Sequence, residues 1–402
     1  MADLMMGKVN FNSDFAGYLK EEPGDRFSFT YDASYLAAKK PIISISLPLQ
    51  PESHTSDYGL HSFFDNLVAE GWLAEAQGKI LNKKNPTRFE LLLAFGFDCA
   101  GAVSIFDPDP VNLHNTMLDL SDPKELAVFQ SRASISGVQA KLAVIKTATG
   151  FRGVQAGETS THIAKFEPKN QSSNHSGIII NECLTSIAFK KLLPNDKIAE
   201  LSIGKIEGND ANALIIKRFD REGGSKIHFE EFNQLLNMKS QNKYNGSHKM
   251  MSDFIYENSF CQDIDAYNLF NRIIAGILLG NTDMHLKNFA MMHTSQGLRL
   301  TPTYDQVGGL LFGYKEIALK INNAELLPLT KLKYKHIISL GEEMGINKPA
   351  IKMAIKNFEK HLSRAIQAVK DSKLDAEIMK NKITTNMEKT WNRTFALIGQ
   401  HL

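Results

Sequence analysis

The 402-residue sequence predicts an α+β fold with two lobes, a small β-rich lobe and a large, mostly helical one. Residues from about 130 to 220 alternate strand-like runs with one helix, and the chain beyond about 228 is mostly helical. Residues 1–110 read as an α/β unit of their own. We therefore predict an N-terminal α/β subdomain (1–110), a small-lobe core (125–222) and a helical lobe (223–402).

The N-terminal subdomain is predicted from two strands and two helices. FSFTYDASYL (27–36) and PIISISLPL (41–49) are rich in β-branched and aromatic residues, which favours strands. HSFFDNLVAEGWLAEAQGKIL (61–81) places apolar residues at helical spacing, and RFELLLAFGF (88–97) predicts a second helix. The polar, proline-containing segment FDPDPVNLHN (106–115) is typical of a linker.

The remaining elements follow from the same patterns. Predicted strands of the small lobe are KLAVIKT (141–147), THIAKFEP (161–168) and ANALIIKRFDR (211–221). Predicted helices are IIINECLTSIAFKKLL (178–193), FEEFNQLLNM (229–238), AYNLFNRIIAGILLG (266–280), AELLPLTKLKYKHIISLGEEMG (324–345) and the C-terminal stretch.

Composition excludes several classes of function. The formal net charge of +2 gives no basic field of the kind that drives sequence-independent binding to nucleic acid. The N-terminus lacks the pattern of a secretory signal, and apolar runs such as IIAGILLG (273–280) are too short to span a bilayer. Cys99, Cys183 and Cys261 are far apart and odd in number, which argues against a disulfide framework or a zinc site. We therefore expect a cytoplasmic protein with no membrane partner.

The segment LGNTDMHLKNF (279–289) carries the strongest chemical signal. Asp283 precedes Asn288 by five residues, the spacing of the base and the metal-binding amide in a phosphoryl-transfer loop. One carboxylate orients a substrate hydroxyl, an amide oxygen reaches a magnesium ion, and Lys287 offsets charge at the γ-phosphate. An Asx-rich turn that caps two helices is the alternative, and the more common one for this spacing alone.

A second acidic residue follows on a predicted hairpin. FAMMHTSQG (289–297) reads as a strand and a turn, and LRLTPTYD (298–305) reads as the returning strand. Such a hairpin brings Asp305 back beside the loop, where its carboxylate would be a second magnesium ligand. The alternative is an ordinary turn aspartate.

The small lobe offers candidates for phosphate binding. Lys165 lies in an alternating run comparable to the V-A-I-K strand, and Glu182 on the next helix could pair with it. Lys141 follows a segment with a single glycine, which is a poor nucleotide signal by itself. In IIKRFDR (215–221) backbone groups could meet an adenine edge and Phe219 could pack on the ring. The alternatives are that Lys165 is a surface lysine and Glu182 an exposed helix residue. The segment before Lys141 would then be a turn that opens a strand, and IIKRFDR would be a buried strand.

Taken in order, these pieces resemble the HipA family of toxin kinases. Within the small N-terminal unit, FFDNL (63–67) and Glu70-Gly71 resemble the family's N-terminal subdomain. Further matching segments are SISGVQAKL (134–142), THIAKFEP (161–168), Asn181-Glu182, IIKRFDR (215–221), HFEEF (228–232) with Gln234, LLGNTDMHLKNF (278–289) and Tyr304-Asp305. The resemblance implies a protein-kinase-like two-lobe fold.

The resemblance implies an ATP- and Mg²⁺-dependent protein serine/threonine kinase. Asp283 would be the catalytic base, and Asn288 and Asp305 would bind magnesium. Ser134, Ser136 or both match the loop serines that such kinases autophosphorylate, and the choice between them stays open. The residues expected to bind ATP are Val138, Gln139, Lys141, Lys165, Lys217, Phe219, Gln234, His285 and Lys287.

The resemblance also implies partners. The expected partner is a helix-turn-helix, DNA-binding antitoxin like HipB, so that DNA is reached only through the antitoxin. The expected substrate is a protein such as an aminoacyl-tRNA synthetase, whose phosphorylation would arrest growth and produce persistence. Two alternatives stay open, a small-molecule phosphotransferase and a pseudokinase partner of a helix-turn-helix repressor. The SISGVQ loop argues against the first, and intact Asp283, Asn288, Asp305 and Lys165 argue against the second.

Overall fold

The computed structural model describes residues 4–108, 139–155, 157–168, 176–321 and 326–401. The chain divides into two compact units, each formed by two segments. Unit 1 comprises Met1–Phe166 and Gly204–Ser240, and unit 2 comprises Glu167–Ile203 and Gln241–Leu402. Among the described residues, no helix is long and apolar enough to cross a membrane.

Unit 1 begins with a five-stranded sheet in the order β4-β3-β2-β1-β5. Its strands are β1 (Met6–Phe11), β2 (Asp14–Glu22), β3 (Arg26–Tyr31), β4 (His54–Ser56) and β5 (Val103–Phe106). Along β1, buried residues alternate with half-buried ones, and the strand pairs antiparallel with both β2 and β5. This alternation is expected where one face of a sheet packs on a core.

Of two strand predictions in this region, one is confirmed only in its first half and the other is wrong, each for an identifiable reason. The 27–36 strand stops at Tyr31, because the Asp32 side chain accepts a hydrogen bond of 2.9 Å from the Ser34 backbone N–H and starts helix α1 (Ala33–Ala37). The 41–49 strand is absent. Ser44 Oγ and the Ile45 N–H instead donate to the Glu230 carboxylate, at 2.6 and 3.1 Å. Tertiary polar contacts therefore override the local β-propensity of that segment.

The predicted 61–81 helix is two helices, α2 (Ser62–Leu67) and α3 (Gly71–Ile80). The break lies where Val68 and Glu70 adopt extended backbone and Gly71 has a φ of +55°. Helix α4 (Arg88–Phe95) matches its prediction and begins with a capping box between Thr87 and Glu90.

The second part of unit 1, apart from residues 201–203 at the start of β9, is a closed barrel in the order β10-β8-β6-β7-β9. Its strands are β6 (Lys141–Lys146), β7 (Phe151–Gly153), β8 (His162–Phe166), β9 (Leu201–Ile206) and β10 (Asn209–Lys217). The short strands β11 (Arg221–Glu222), β12 (Ser225–Lys226) and β13 (Phe229–Glu231) and the one-turn helix Phe232–Leu235 complete the unit. Sheet and barrel share one hydrophobic core, which includes Phe29 and Phe64 as well as Val144 and Ile215.

Among the described residues, unit 2 is built from six α-helices and one hairpin, with short 3-10 and π turns between and after them. The helices are α5 (Ile178–Leu192), α6 (His248–Asn258), α7 (Gln262–Leu279), α8 (Tyr334–Glu343), α9 (Lys348–Lys370) and α10 (Glu377–Thr390). The hairpin is β14 (Ala290–Thr294) with β15 (Gly297–Leu300), as predicted. Helix α7 is buried almost throughout its last three turns, which makes it the centre of this unit.

Candidate active site

The predicted catalytic loop starts where the buried helix α7 ends. Gly280 closes the helix with a φ of +80°, a left-handed conformation that glycine adopts at little cost. The next residue, Asn281, accepts a hydrogen bond of 2.9 Å through its side-chain oxygen from the Asp283 N–H. This Asx turn fixes the backbone of Asp283 while its side chain remains 59% exposed.

Asp283 and Asn288 are joined by a direct hydrogen bond. The Asn288 Nδ2 group donates to the Asp283 carbonyl oxygen at 2.5 Å, and the His285 N–H donates to the same oxygen at 2.9 Å. The predicted five-residue spacing therefore corresponds to a loop that closes on itself. Because Nδ2 is used in this bond, Oδ1 of Asn288 is the atom suited to a hard cation.

His285 lies beside the Asp283 carboxylate and is neutral at pH 7. Its Nε2 is 3.8 Å from Asp283 Oδ1. Burial, helped by the charges of Lys243 and Lys287 and opposed by the charge of Asp305, lowers the pKa of His285 to about 4. The two side chains are therefore not an ion pair at neutral pH.

Asp305 follows the returning strand of the hairpin and has an unusual backbone. Its φ of +56° lies in the left-handed region, which aspartate tolerates better than most residues. Such conformations concentrate at functional sites. The preceding residue, Tyr304, donates a hydrogen bond of 2.9 Å to the Lys287 carbonyl oxygen, which ties the hairpin to the loop.

Helix α5 anchors the segment that follows Asp305. Asn181 Oδ1 accepts a hydrogen bond of 2.7 Å from the Gly308 N–H, and Thr185 Oγ1 donates to the Gln306 carbonyl oxygen. Asn181 and Thr185 are fully buried, so these bonds are shielded from water. Both sides of Asp305 are thus fixed within unit 2.

Lys141 and Lys165 face each other across neighbouring strands in unit 1. They are direct partners in the β6–β8 register, and each is only 6% exposed. Residues paired in this way have their side chains on the same face of a sheet, and the role of the two lysines in phosphate binding stays a prediction. Glu182, which is completely buried, belongs to unit 2, and its pairing with Lys165 stays a prediction.

The other predicted ATP-binding residues of unit 1 have varied surroundings. Gln139 Nε2 donates to the Phe166 carbonyl oxygen at 3.0 Å, and Lys217 is exposed at the end of β10. Phe219 packs against Phe229, with ring centroids 5.0 Å apart. Their contact with a nucleotide stays a prediction. Ser134, Ser136 and Val138 lie outside the described residues.

Gln234 uses both ends of its amide within unit 1. Its Nε2 donates to the Phe63 carbonyl oxygen at 3.1 Å, and its Oε1 accepts from the Glu231 N–H at 2.9 Å. These bonds make Gln234 part of the link between helix α2 and the 231–235 segment, and its contact with ATP stays a prediction.

Sequence reasoning missed Tyr244. Its hydroxyl donates a hydrogen bond of 3.0 Å to Asp283 Oδ1, and its ring meets the His285 ring edge-on at 5.1 Å. The surrounding polar run QNKYNGS (241–247) has neither periodicity nor a known motif, so nothing in it pointed to the loop.

An α+β fold in which a closed Asp–Asn loop is followed by a hairpin aspartate is typical of the protein-kinase-like class. Comparison with protein-family models gives the family. The model of the HipA-like C-terminal domain matches residues 133–369, and that of the HipA N-terminal domain matches residues 7–106. The chain belongs to the HipA family, as the sequence motifs indicated.

Similar proteins support this assignment. The serine/threonine-protein kinase toxin HipA of Shewanella oneidensis is 27% identical over 349 residues, covering 76% of this chain and 73% of that protein. Protein Y4dM of Sinorhizobium fredii is 26% identical over 345 residues, covering 79% of this chain and 81% of that protein.

A solved structure confirms the fold. In the Shewanella oneidensis complex of HipA, HipB and operator DNA, one chain matches with a TM-score of 0.74 at 19% identity, covering 98% of this chain and 99% of that one. The predicted kinase-like α+β fold is therefore confirmed.

Proposed function

We propose that the protein is an ATP- and Mg²⁺-dependent protein serine/threonine kinase that acts as the toxin of a toxin–antitoxin pair. The observation that carries this proposal is the loop in which the Asn288 side chain donates to the Asp283 carbonyl oxygen, together with the hydrogen bond from Tyr304, the residue before Asp305, to the Lys287 carbonyl oxygen. Membership of the HipA family supports it, because a relative that matches over most of the chain is named a serine/threonine-protein kinase toxin.

The residues divide the chemistry among themselves. The exposed carboxylate of Asp283 would orient a serine or threonine hydroxyl and take its proton. Oδ1 of Asn288 and the carboxylate of Asp305 are hard oxygen ligands of the kind that Mg²⁺ prefers. Magnesium-bound ATP, when present, supplies the phosphoryl group and a cation that offsets charge during transfer.

Three buried lysines would bind the ATP phosphates. Lys141 and Lys165 would hold phosphate oxygens, since they are register partners on neighbouring strands and their side chains lie on the same face of the barrel. In unit 2, Lys287 is part of the catalytic loop itself and is only 4% exposed. It would offset negative charge on the transferred group.

The proposal extends to regulation and partners. Autophosphorylation on Ser134 or Ser136 would add about two negative charges to a loop expected to cover ATP phosphates, and the two would repel. A helix-turn-helix antitoxin would bind the kinase and carry it to DNA. The solved complex of a fold relative with HipB and operator DNA supports this arrangement. The protein substrate would be a cytoplasmic translation component such as an aminoacyl-tRNA synthetase.

The test is a phosphorylation assay with γ-labelled ATP and Mg²⁺, followed by mass spectrometry of the protein. We expect phosphate on residues 134–136 in the wild type and none in Asp283→Asn, which should still bind ATP. Asp57→Asn is a matched control, because Asp57 lies in an exposed ion pair with Arg26. Full labelling of Asp283→Asn would remove Asp283 from the mechanism.

A growth assay tests the toxin role. Expression of the wild type without an antitoxin should slow growth of a bacterial host, and Asp305→Ala should relieve this by removing a magnesium ligand. Equal toxicity of the two forms would argue against kinase chemistry as the cause.

A further inference from the structure

A short segment from outside the catalytic loop packs tightly against it. This is the 243–246 segment, Lys243 to Gly246, which precedes helix α6. The Lys243 carbonyl oxygen accepts a hydrogen bond of 3.2 Å from the Leu286 N–H. A Cβ at Gly246 would lie 2.6 Å from Leu286 Cδ1, so the Leu286 side chain would have to shift to admit a larger residue. The segment and the loop are therefore fitted to each other.

Tyr244 is held in this segment by contacts to its ring and its hydroxyl. The ring meets the His285 ring edge-on, at a centroid distance of 5.1 Å and an interplanar angle of 81°. Lys243 Nζ lies 5.6 Å from the Tyr244 ring centroid, within range of a cation–π interaction. With the ring placed in this way, the hydroxyl donates to Asp283 Oδ1 at 3.0 Å.

We propose that Tyr244 is a positioning residue that fixes the Asp283 carboxylate for phosphoryl transfer. This inference rests on the proposed kinase function. The terminal torsion of an aspartate is broad, and the Asp283 side chain is 59% exposed, so its carboxylate is not oriented by packing alone. A hydrogen bond to one oxygen sets the plane of the group and hence the direction of the other oxygen. A small error in the direction of that oxygen relative to the substrate hydroxyl lowers the rate of phosphoryl transfer.

Tyr244 also limits the approach of a substrate. It is 48% exposed and lies against an exposed carboxylate. A substrate hydroxyl must therefore reach Asp283 from a side that the phenol does not cover. The effect of Tyr244 should accordingly appear in the transfer step to a serine or threonine, and not in ATP binding.

Tyr244→Phe isolates the hydroxyl, because the ring and its contact with His285 are kept. We expect kcat in the labelled-ATP assay to fall roughly 10- to 100-fold, the range for losing one hydrogen bond to a charged group. The KM for ATP should stay within about twofold, since the change acts on the transition state and not on nucleotide binding. Titration with ATP gives the fraction of each preparation that is folded and binding-competent, and kcat is expressed per competent site.

Tyr256→Phe is the matched control. The Tyr256 hydroxyl also donates a hydrogen bond within unit 2, of 3.5 Å to the Gly345 carbonyl oxygen, away from the loop. This variant should keep the wild-type kcat. If Tyr244→Phe also keeps it, or if kcat and the KM for ATP change by equal factors, the positioning role is overturned.

Asp283→Asn separates this inference from the proposed function. An inactive Asp283→Asn with a fully active Tyr244→Phe overturns the role of Tyr244 alone. A fully active Asp283→Asn overturns both, because no carboxylate would then need positioning.

Discussion

The Tyr304 hydroxyl donates a hydrogen bond of 2.9 Å to the carbonyl oxygen of Lys287. Each of these residues immediately precedes a proposed magnesium ligand, Asp305 after Tyr304 and Asn288 after Lys287. One hydrogen bond between neighbours thus holds two ligand-bearing segments together. The spacing of the two ligands depends on this bond as well as on the hairpin.

Tyr304→Phe should therefore raise the magnesium requirement. Loss of one neutral hydrogen bond costs about 1 kcal/mol, so we expect the Mg²⁺ concentration for half-maximal phosphorylation to rise roughly fivefold. The measurement is a Mg²⁺ titration of phosphoryl transfer at saturating ATP. Tyr256→Phe, which loses a hydroxyl outside the loop, should show the wild-type titration. An unchanged requirement in Tyr304→Phe would mean that the hairpin alone positions Asp305.

The parts of the site that the sequence predicted are local ones. Asp283, Asn288 and the β14–β15 hairpin lie within one short stretch, where turn chemistry and alternation fix the backbone. Tyr244, in contrast, donates its hydrogen bond to the Asp283 carboxylate from 39 residues upstream. Such a contact depends on how helices α6 and α7 pack, which no local pattern records.

The contrast between local patterns and long-range contacts also explains which helices and strands the sequence predicts. Helix α5 was predicted closely, from 178–193 against Ile178–Leu192, because its apolar spacing is a local property. The 41–49 segment looked like a strand, yet its backbone is organised by Glu230, 185 residues further along from Ile45. The hydrogen bonds that the buried Glu230 carboxylate requires therefore outweigh the local β-propensity of this segment, which differs by at most about 1 kcal/mol per residue.

A buried charge network ties the N-terminal sheet region to the barrel within unit 1. Arg218 bonds both oxygens of Asp220, at 2.9 and 2.6 Å, and Arg221 bonds Asp98 at 2.8 Å. All four side chains are at most 5% exposed. Burial opposes ionisation of Asp98 and Asp220, but the charges of Arg218 and Arg221 outweigh it and lower the pKa of both carboxyls.

Asp98→Asn should consequently destabilise the protein strongly. It keeps the shape of the side chain but leaves two buried guanidinium groups with one carboxylate, a change that costs about 3–5 kcal/mol. Urea unfolding gives the free energy of unfolding of each variant. Asp57→Asn, in the exposed pair with Arg26, should cost less than about 1 kcal/mol. Similar losses in both variants would show that the buried network does not stabilise unit 1.

His61 makes the stability of unit 1 depend on pH. It is the residue before helix α2, and its Nδ1 accepts a hydrogen bond of 3.2 Å from the Phe63 N–H. Burial lowers the pKa of His61 to about 4, with His54 and Lys239 acting in the same direction. Protonation would convert this acceptor into a donor that faces another donor.

The direction of the pH effect follows from linkage. The unfolded pKa is near 6.5, so between about pH 6.5 and 4 the unfolded state binds more protons than the folded state. The stabilisation is complete above about pH 6.5 and is lost as the pH falls towards 4, at no more than about 1.4 kcal/mol per pH unit for one group.

His61→Asn keeps a cap acceptor that does not titrate, so its urea midpoint should fall less between pH 7 and pH 5 than that of the wild type. His401→Asn, which changes a ring stacked on Tyr334 near the C-terminus, should retain the wild-type slope. A wild-type slope in His61→Asn as well would assign the acid sensitivity to other groups.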